Sequence, residues 1–188
     1  MTIIARRAAT ALFLGLPLAL AACGPRDAGG PSFYVDLAER DAEIDTEAAV
    51  AMINGYRRNK GLPLLQADAA LQRVAHSQAR AMAEKGQVDV SLERGNLVRA
   101  RLDRAGYPAG PAVENVSAGY HTLADAFSGW RGSPRHDANM RHADVTRMGI
   151  ATAYAPGNKY KVFWSLVLAG PATEGEQTAA EPVPAVKP

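Results

Sequence analysis

The sequence predicts a mixed α+β domain, and three observations carry that reading. Between residues 69 and 85, Leu71, Val74, Ala75, Ala79 and Met82 recur at helical spacing, the pattern of an amphipathic helix. Between residues 159 and 169, Tyr160, Val162, Trp164, Leu166 and Leu168 fall at every second position, which puts them on one face of a strand. The turn residues Pro156, Gly157 and Asn158 join that strand to another at 148–154, so the two form an antiparallel hairpin. The order of helix and strand patterns allows α+β and nothing finer.

The 188 residues suffice for one domain with tails. Residues 1–22 read as an export signal. Arg6 and Arg7 form its basic start, and Leu12, Phe13, Leu14, Leu16, Leu18 and Leu20 lie in an apolar run over residues 8–20. That run is shorter than the roughly 20 apolar residues that span a bilayer. It ends in Leu20-Ala21-Ala22-Cys23, which resembles the bacterial lipobox. On that reading Cys23, the only cysteine, carries the lipid; the alternative is a plain secretory signal cut after Ala22. The lipobox resemblance implies a multiply acylated, palmitate-type anchor, since one chain alone holds weakly at about 0.8 kcal/mol per buried CH₂. Gly24, where an aspartate would otherwise stand, resembles an outer-membrane destination. The expected location is therefore the bacterial cell envelope, lipid-anchored to the outer membrane and facing the periplasm or the exterior. With Arg6 and Arg7 removed, 19 of the 21 basic side chains remain against 19 acidic ones. Such a neutral chain lacks the basic face of a dedicated nucleic-acid binder. The expected organisation is a signal peptide over 1–22, lipidated Cys23 with a tether to 43, a folded domain over 44–170 and a disordered tail over 171–188.

Within the domain, Thr46 can cap a first helix that stops before Gly61, with Val50, Ile53 and Tyr56 facing inward. Asp68 caps the second helix, Gly86 ends it, and His76 lies off its apolar stripe. Residues 86–95 read as irregular. A third helix follows with Leu97, Val98, Leu102 and Ala105 inward. Arg94, Arg99, Arg101 and Arg104 then give it a basic outer face, solvated or turned to anionic headgroups or wall polymers. Residues 113–120 form a strand. Thr122 and Asp125 resemble a capping box, and Leu123, Phe127 and Trp130 line the helix behind it. Ser133 caps the next helix with Pro134 in its first position, which places His136 where the helix dipole disfavours a charged imidazole. In the final hairpin, Gly149, Ala151 and Ala153 leave one face flat for a helix to pack against.

Four stretches, in this order and spacing, resemble the CAP superfamily of cysteine-rich secretory proteins, antigen 5 and pathogenesis-related 1, with their bacterial SCP-like relatives. They are Ile53-Asn54 through Arg57 to Gly61-Leu62-Pro63-Leu64; Gly106-Tyr107 leading to Glu114-Asn115-Val116; Trp130 with Ser133-Pro134-Arg135-His136-Asp137-Ala138-Asn139-Met140; and Arg147-Met148-Gly149-Ile150-Ala151 with the last strand. The resemblance implies a three-layer α-β-α sandwich around a small antiparallel sheet. It also implies a cavity lined by two histidines and one or two acids, which binds zinc in some members. Glu114 matches the acid and His136 one histidine. The other histidine falls at Val88 or Val90, so the set is incomplete for tetrahedral zinc. His136, Glu114 and Asp89 are the side chains left to a metal, and no cofactor is expected.

The expected site is thus a groove at Glu114 and His136, flanked by Asn115 and Ser133. The favoured function is non-enzymatic binding of a lipid, a wall fragment or a protein partner there. A hydrolase using Glu114 and His136 as an acid–base pair is the alternative. No Gly-x-Ser-x-Gly elbow and no His-Glu-x-x-His motif is present to support it. A third reading makes the two a buried hydrogen-bonded pair that ties strand to helix.

Overall fold

The computed structural model describes residues 31–171. The export signal, Cys23 and residues 172–188 of the expected tail lie outside the described residues. The packed domain takes in residues before the expected boundary at 44. Leu37 is buried in the main apolar core, and its N–H donates to the His121 carbonyl at 2.8 Å. Asp36, Glu39, Asp41, Glu43, Asp45 and Glu47 face solvent, while Leu37, Ala42 and Ile44 between them pack inward.

Helix α1 (Thr46–Arg58) is capped by Asp45, not Thr46: the Asp45 carboxylate accepts the Ala48 N–H at 2.9 Å, and Thr46 is already helical. Such a cap is worth about 1 kcal/mol. Near the end of α1, the fully buried Arg57 donates to the carbonyls of Pro63, Met140, His142 and Val145 at 2.7–3.1 Å. A guanidinium can serve several acceptors from one fixed plane, so this single side chain pins two loops to the helix. In α2 (Ala69–Lys85) the Asp68 carboxylate caps two N–H groups and Gly86 closes the helix in a left-handed conformation. The predicted stripe is buried and His76 is exposed.

The segment expected to be irregular holds two 3-10 turns, Asp89–Leu92 and Arg94–Asn96. Helix α3 (Val98–Arg104) follows and departs from its predicted orientation. Leu102 is buried as expected, but Leu97 and Ala105 are exposed and Arg101 points inward, 6% exposed. Leu97 precedes the helix, so it takes no part in the helical face.

Strands β1 (Gln66–Ala67), β2 (Ala109–Ala118), β3 (Arg147–Tyr154) and β4 (Val162–Pro171) form one sheet in the order β1-β3-β4-β2. The three long strands are antiparallel, as expected. The sheet is nevertheless mixed, because the two-residue β1 runs parallel to β3. Strand β4 lies in the interior and is buried on both faces, so its pattern is not one-sided. Val162, Trp164, Leu166 and Leu168 enter one core, while Phe163, Val167 and Ala169 enter the other. Tyr160 falls outside the strand and is exposed.

Helices α1, α4 (Leu123–Gly132) and α5 (Pro134–Met140) cover one face. There Trp130 and Trp164 meet edge to face at 6.0 Å, a favoured aromatic geometry. Each indole N–H finds an acceptor, Ser117 Oγ and the Tyr120 carbonyl respectively. Helices α2 and α3 cover the other face. The flat patch on β3 works as predicted: a Cβ on Gly149 would run into the backbone of Leu71 and Gln72. The result is a three-layer α-β-α sandwich.

Candidate functional site

Strand β2 carries the site residues, and its two-residue alternation divides them. Val113, Asn115 and Ser117 face the layer of α4 and α5. Asn115 Nδ2 donates to the His136 carbonyl at 3.0 Å. Asn139 Nδ2 donates to Asn115 Oδ1 and to the Glu114 carbonyl, both at 2.9 Å. These bonds hold α5 against the strand. Ala112, Glu114 and Val116 face the opposite layer.

There the Glu114 carboxylate is fully engaged. Arg101 Nη2 donates to Oε2 at 2.5 Å, and Ser165 Oγ donates to Oε1 at 2.7 Å. Both partners of the ion pair are more than nine-tenths buried. Arg101 Nε also donates to the Asn96 carbonyl at 2.9 Å. Burial pushes the Glu114 carboxyl above its ordinary range; the Arg101 charge and the Ser165 and Arg101 hydrogen bonds pull it back, and burial prevails.

The structure therefore corrects the expected pair. Glu114 faces the α2–α3 layer, His136 belongs to a helix in the layer on the other face of the sheet, and no hydrogen bond or ion pair joins the two. The buried acid does tie two elements together, but its partner is Arg101 of α3. His136 is half-buried in the first turn of α5, and its ring makes no hydrogen bond among the described residues. Desolvation, helped by the Arg135 charge, holds its imidazole below the ordinary pKa. Ser133 occupies the N-cap position of α5, but its hydroxyl forms no capping bond. One turn separates Ser133 from His136, so α5 presents an uncommitted hydroxyl and a neutral imidazole together.

The three side chains left to a metal, His136, Glu114 and Asp89, do not assemble. Among the described residues no three His, Cys, Asp or Glu side chains converge on one point. Asp89 is exposed at the start of a 3-10 turn. Of the two valines standing where a histidine was expected, Val88 is partly exposed, and Val90 is buried in a cluster with Met82 and Phe163. These residues do not fit a zinc site.

Two partnerships were missed by sequence reasoning. Arg101 sits in an arginine-rich run whose solvated appearance hides the one inward guanidinium. Tyr56, assigned to the core, donates its hydroxyl to Asp137 Oδ1 at 2.5 Å, and Arg141 Nε donates to Asp137 Oδ2 at 2.8 Å. Burial and the Asp137 bond raise the Tyr56 pKa. Nothing in the spacing of Tyr56 and Asp137, 81 residues apart, announces the contact.

A three-layer sandwich with an acid-asparagine strand and a Ser-Pro-x-His helix defines a CAP-type domain. The profile of the cysteine-rich secretory protein family, CAP, matches residues 50–168, well over half of the chain, and the protein belongs to that family. Similar solved structures include an extracellular protein of Bacillus anthracis containing an SCP domain, at 22% identity and TM-score 0.57 over 66% of this chain and 39% of that one. An outer surface protein of Borrelia burgdorferi is 20% identical, with TM-score 0.60 over 69% and 98%. A cysteine-rich secretory protein of Staphylococcus aureus is 20% identical, with TM-score 0.51 over 65% and 37%. The match thus spans about two fifths of the Bacillus and Staphylococcus proteins and nearly all of the Borrelia one. No curated protein matches the sequence.

Proposed function

We propose that this protein is an envelope-anchored CAP domain that binds its ligand without cleaving it. One observation carries the reading: both oxygens of Glu114 are held by Arg101 and Ser165, on the side of the sheet away from His136. An acid–base hydrolase needs a carboxylate and an imidazole within reach of one substrate atom, and this pair is divided. Ser133 and the neutral His136 remain as ligand-facing groups on α5, with Asn115 holding the helix in place. The proposed ligand is a lipid or wall fragment offering hydroxyl or amide groups to these two side chains. The proposal needs no metal or other cofactor.

The location rests on the lipobox-like Leu20-Ala21-Ala22-Cys23, with Cys23 as the acylated residue in the membrane. It is supported by relatives described as extracellular or outer-surface proteins. Gly24 favours the outer membrane.

Native mass spectrometry of the full chain after incubation with an envelope extract tests the function. The expected result is a retained small-molecule adduct, lost in His136→Ala while the melting temperature stays unchanged. Disappearance of an extract component with new product masses would establish a hydrolase and overturn the proposal. So would an adduct that survives His136→Ala.

A further inference from the structure

The predicted basic face of α3 is not presented as a whole, and what replaces it is a cleft. Arg101 turns inward to Glu114, and Arg99 Nη2 donates to the Gly110 carbonyl at 3.1 Å. Arg104 remains at the surface, where it meets Arg73 of α2 across a cleft of about 520 Å³. Arg101, Asn96 and Ser77 complete the polar lining.

Three features make this cleft a site for an anion. First, it gathers three guanidinium groups, and only one of them is neutralised by the protein. Arg101 pairs with Glu114, whereas Arg73 and Arg104 form no ion pair among the described residues. Second, Arg101 is more than nine-tenths buried, yet one of its nitrogens, Nη1, has no hydrogen-bond partner. Its Nη2 and Nε are spent on Glu114 and Asn96. A buried charged donor without an acceptor is costly, and a small turn of the guanidinium toward the cleft it lines would let an anion there supply the acceptor that Nη1 lacks. Third, Ser77 lies one turn beyond Arg73 on the same wall and adds a neutral donor.

We infer that the α2–α3 cleft binds a phosphate group, with Arg73 and Arg104 as the outer clamp and Arg101 as the inner donor. Guanidinium forks match the tetrahedral oxygens of a phosphate and hold it by paired hydrogen bonds. With Glu114 cancelling Arg101, the cleft keeps two uncompensated positive charges, which suits a phosphate mono- or dianion. The phosphate comes either from an anionic lipid headgroup or from free phosphate. The site lies on the face of the sheet opposite His136, so the inference stands apart from the proposed function.

The test uses the full chain in detergent and the double variant Arg73→Ala/Arg104→Ala. Both arginines are exposed, so the variant keeps the core. Inorganic phosphate is titrated against chloride at matched ionic strength, with melting temperature and binding heat as readouts. Sedimentation with phosphatidylcholine vesicles, with and without phosphatidylglycerol, reads the headgroup. A lipid anchor contributes equally to both vesicle types, so their difference isolates the cleft. Arg80→Ala serves as control, because Arg80 is an exposed α2 arginine outside the cleft and beside Glu84. Saturable stabilisation by phosphate, weakened at least tenfold in the double variant and retained in Arg80→Ala, supports the inference and identifies free phosphate as sufficient. An arginine-dependent preference for phosphatidylglycerol vesicles, without response to free phosphate, supports it with the headgroup as ligand. The inference is overturned if wild type and double variant behave alike in both assays. It is also overturned if Arg80→Ala loses as much as the double variant, since the effect is then diffuse charge.

Discussion

At the scale of single residues, the Arg101–Glu114 pair decides how the strand-borne acid is understood. Two buried charges at 2.5 Å attract strongly, but both have been stripped of water. Removing one leaves the other buried and unpaired, so Glu114→Gln or Arg101→Met alone should cost about 3–5 kcal/mol in urea denaturation. The double variant Arg101→Met/Glu114→Leu should cost far less than the two single losses added together. Strictly additive losses would show that the pair is not coupled. Glu114 is held above its ordinary 4.5 by burial, so its contribution to stability is complete below that value and is lost as pH rises through the folded pKa. His136 runs the other way. It is held below 6.5, first by desolvation and then by Arg135. Its contribution is complete above 6.5 and drains as pH falls through the folded pKa. An NMR titration should place the His136 midpoint below 6.5, and Arg135→Ala should move it upward. A midpoint above neutral pH would remove the neutral imidazole on which the ligand reading depends. The two-residue alternation of β2 alone puts Glu114 and Asn115 on opposite layers. The contact of Asn115 with α5 then excludes Glu114 from the same side.

At the scale of elements, some self-contained local signals were legible, although the cap of α1 fell to Asp45 and the Ser133 hydroxyl caps nothing. Asp68 and Gly86 bracket α2 as predicted, because a cap and a left-handed glycine act through neighbouring backbone groups. The run of small residues on β3 was equally readable, and its consequence is sharp. A Cβ at Gly149 meets the backbone of Leu71 and Gln72, which cannot move aside as a flexible side chain can. Gly149→Ala should therefore lift α2 from the sheet and destabilise the domain by about 2–3 kcal/mol, the upper range for overpacking. Gly157→Ala, in the open hairpin turn with nothing near its Cβ, is the matched control and should cost less than a third as much in the same denaturation series. Equal losses would mean that the close approach of α2 does not matter. The rotation of α3 was not legible. Seven residues make two turns, and four arginines over residues 94–104 resemble a solvated surface whichever way the helix turns. Its orientation is set by a carboxylate 13 residues further on, in a strand.

At the scale of the whole molecule, the proposed anchoring turns on what could hold the protein to a membrane. Without Arg6 and Arg7 the chain is formally neutral, so overall charge supplies no attraction to an anionic bilayer. No helix among the described residues is long and apolar enough to cross a membrane. The arginine cleft can add at most a local, salt-sensitive contact, and at about 1 M salt the Debye length falls to roughly 3 Å. An acylated Cys23 differs from all of these, because its hold is apolar and insensitive to screening. On the proposed anchoring, wild-type protein should stay with the membrane fraction through a high-salt wash and carry the mass of several acyl chains. Cys23→Ser should lose that mass and move to the soluble fraction. If Cys23→Ser stays on membranes at low salt and leaves at high salt, charge holds the chain and the α2–α3 arginines are the first place to look. If it resists salt as well, the anchor is not Cys23, and the lipobox-like tetrapeptide has been misread.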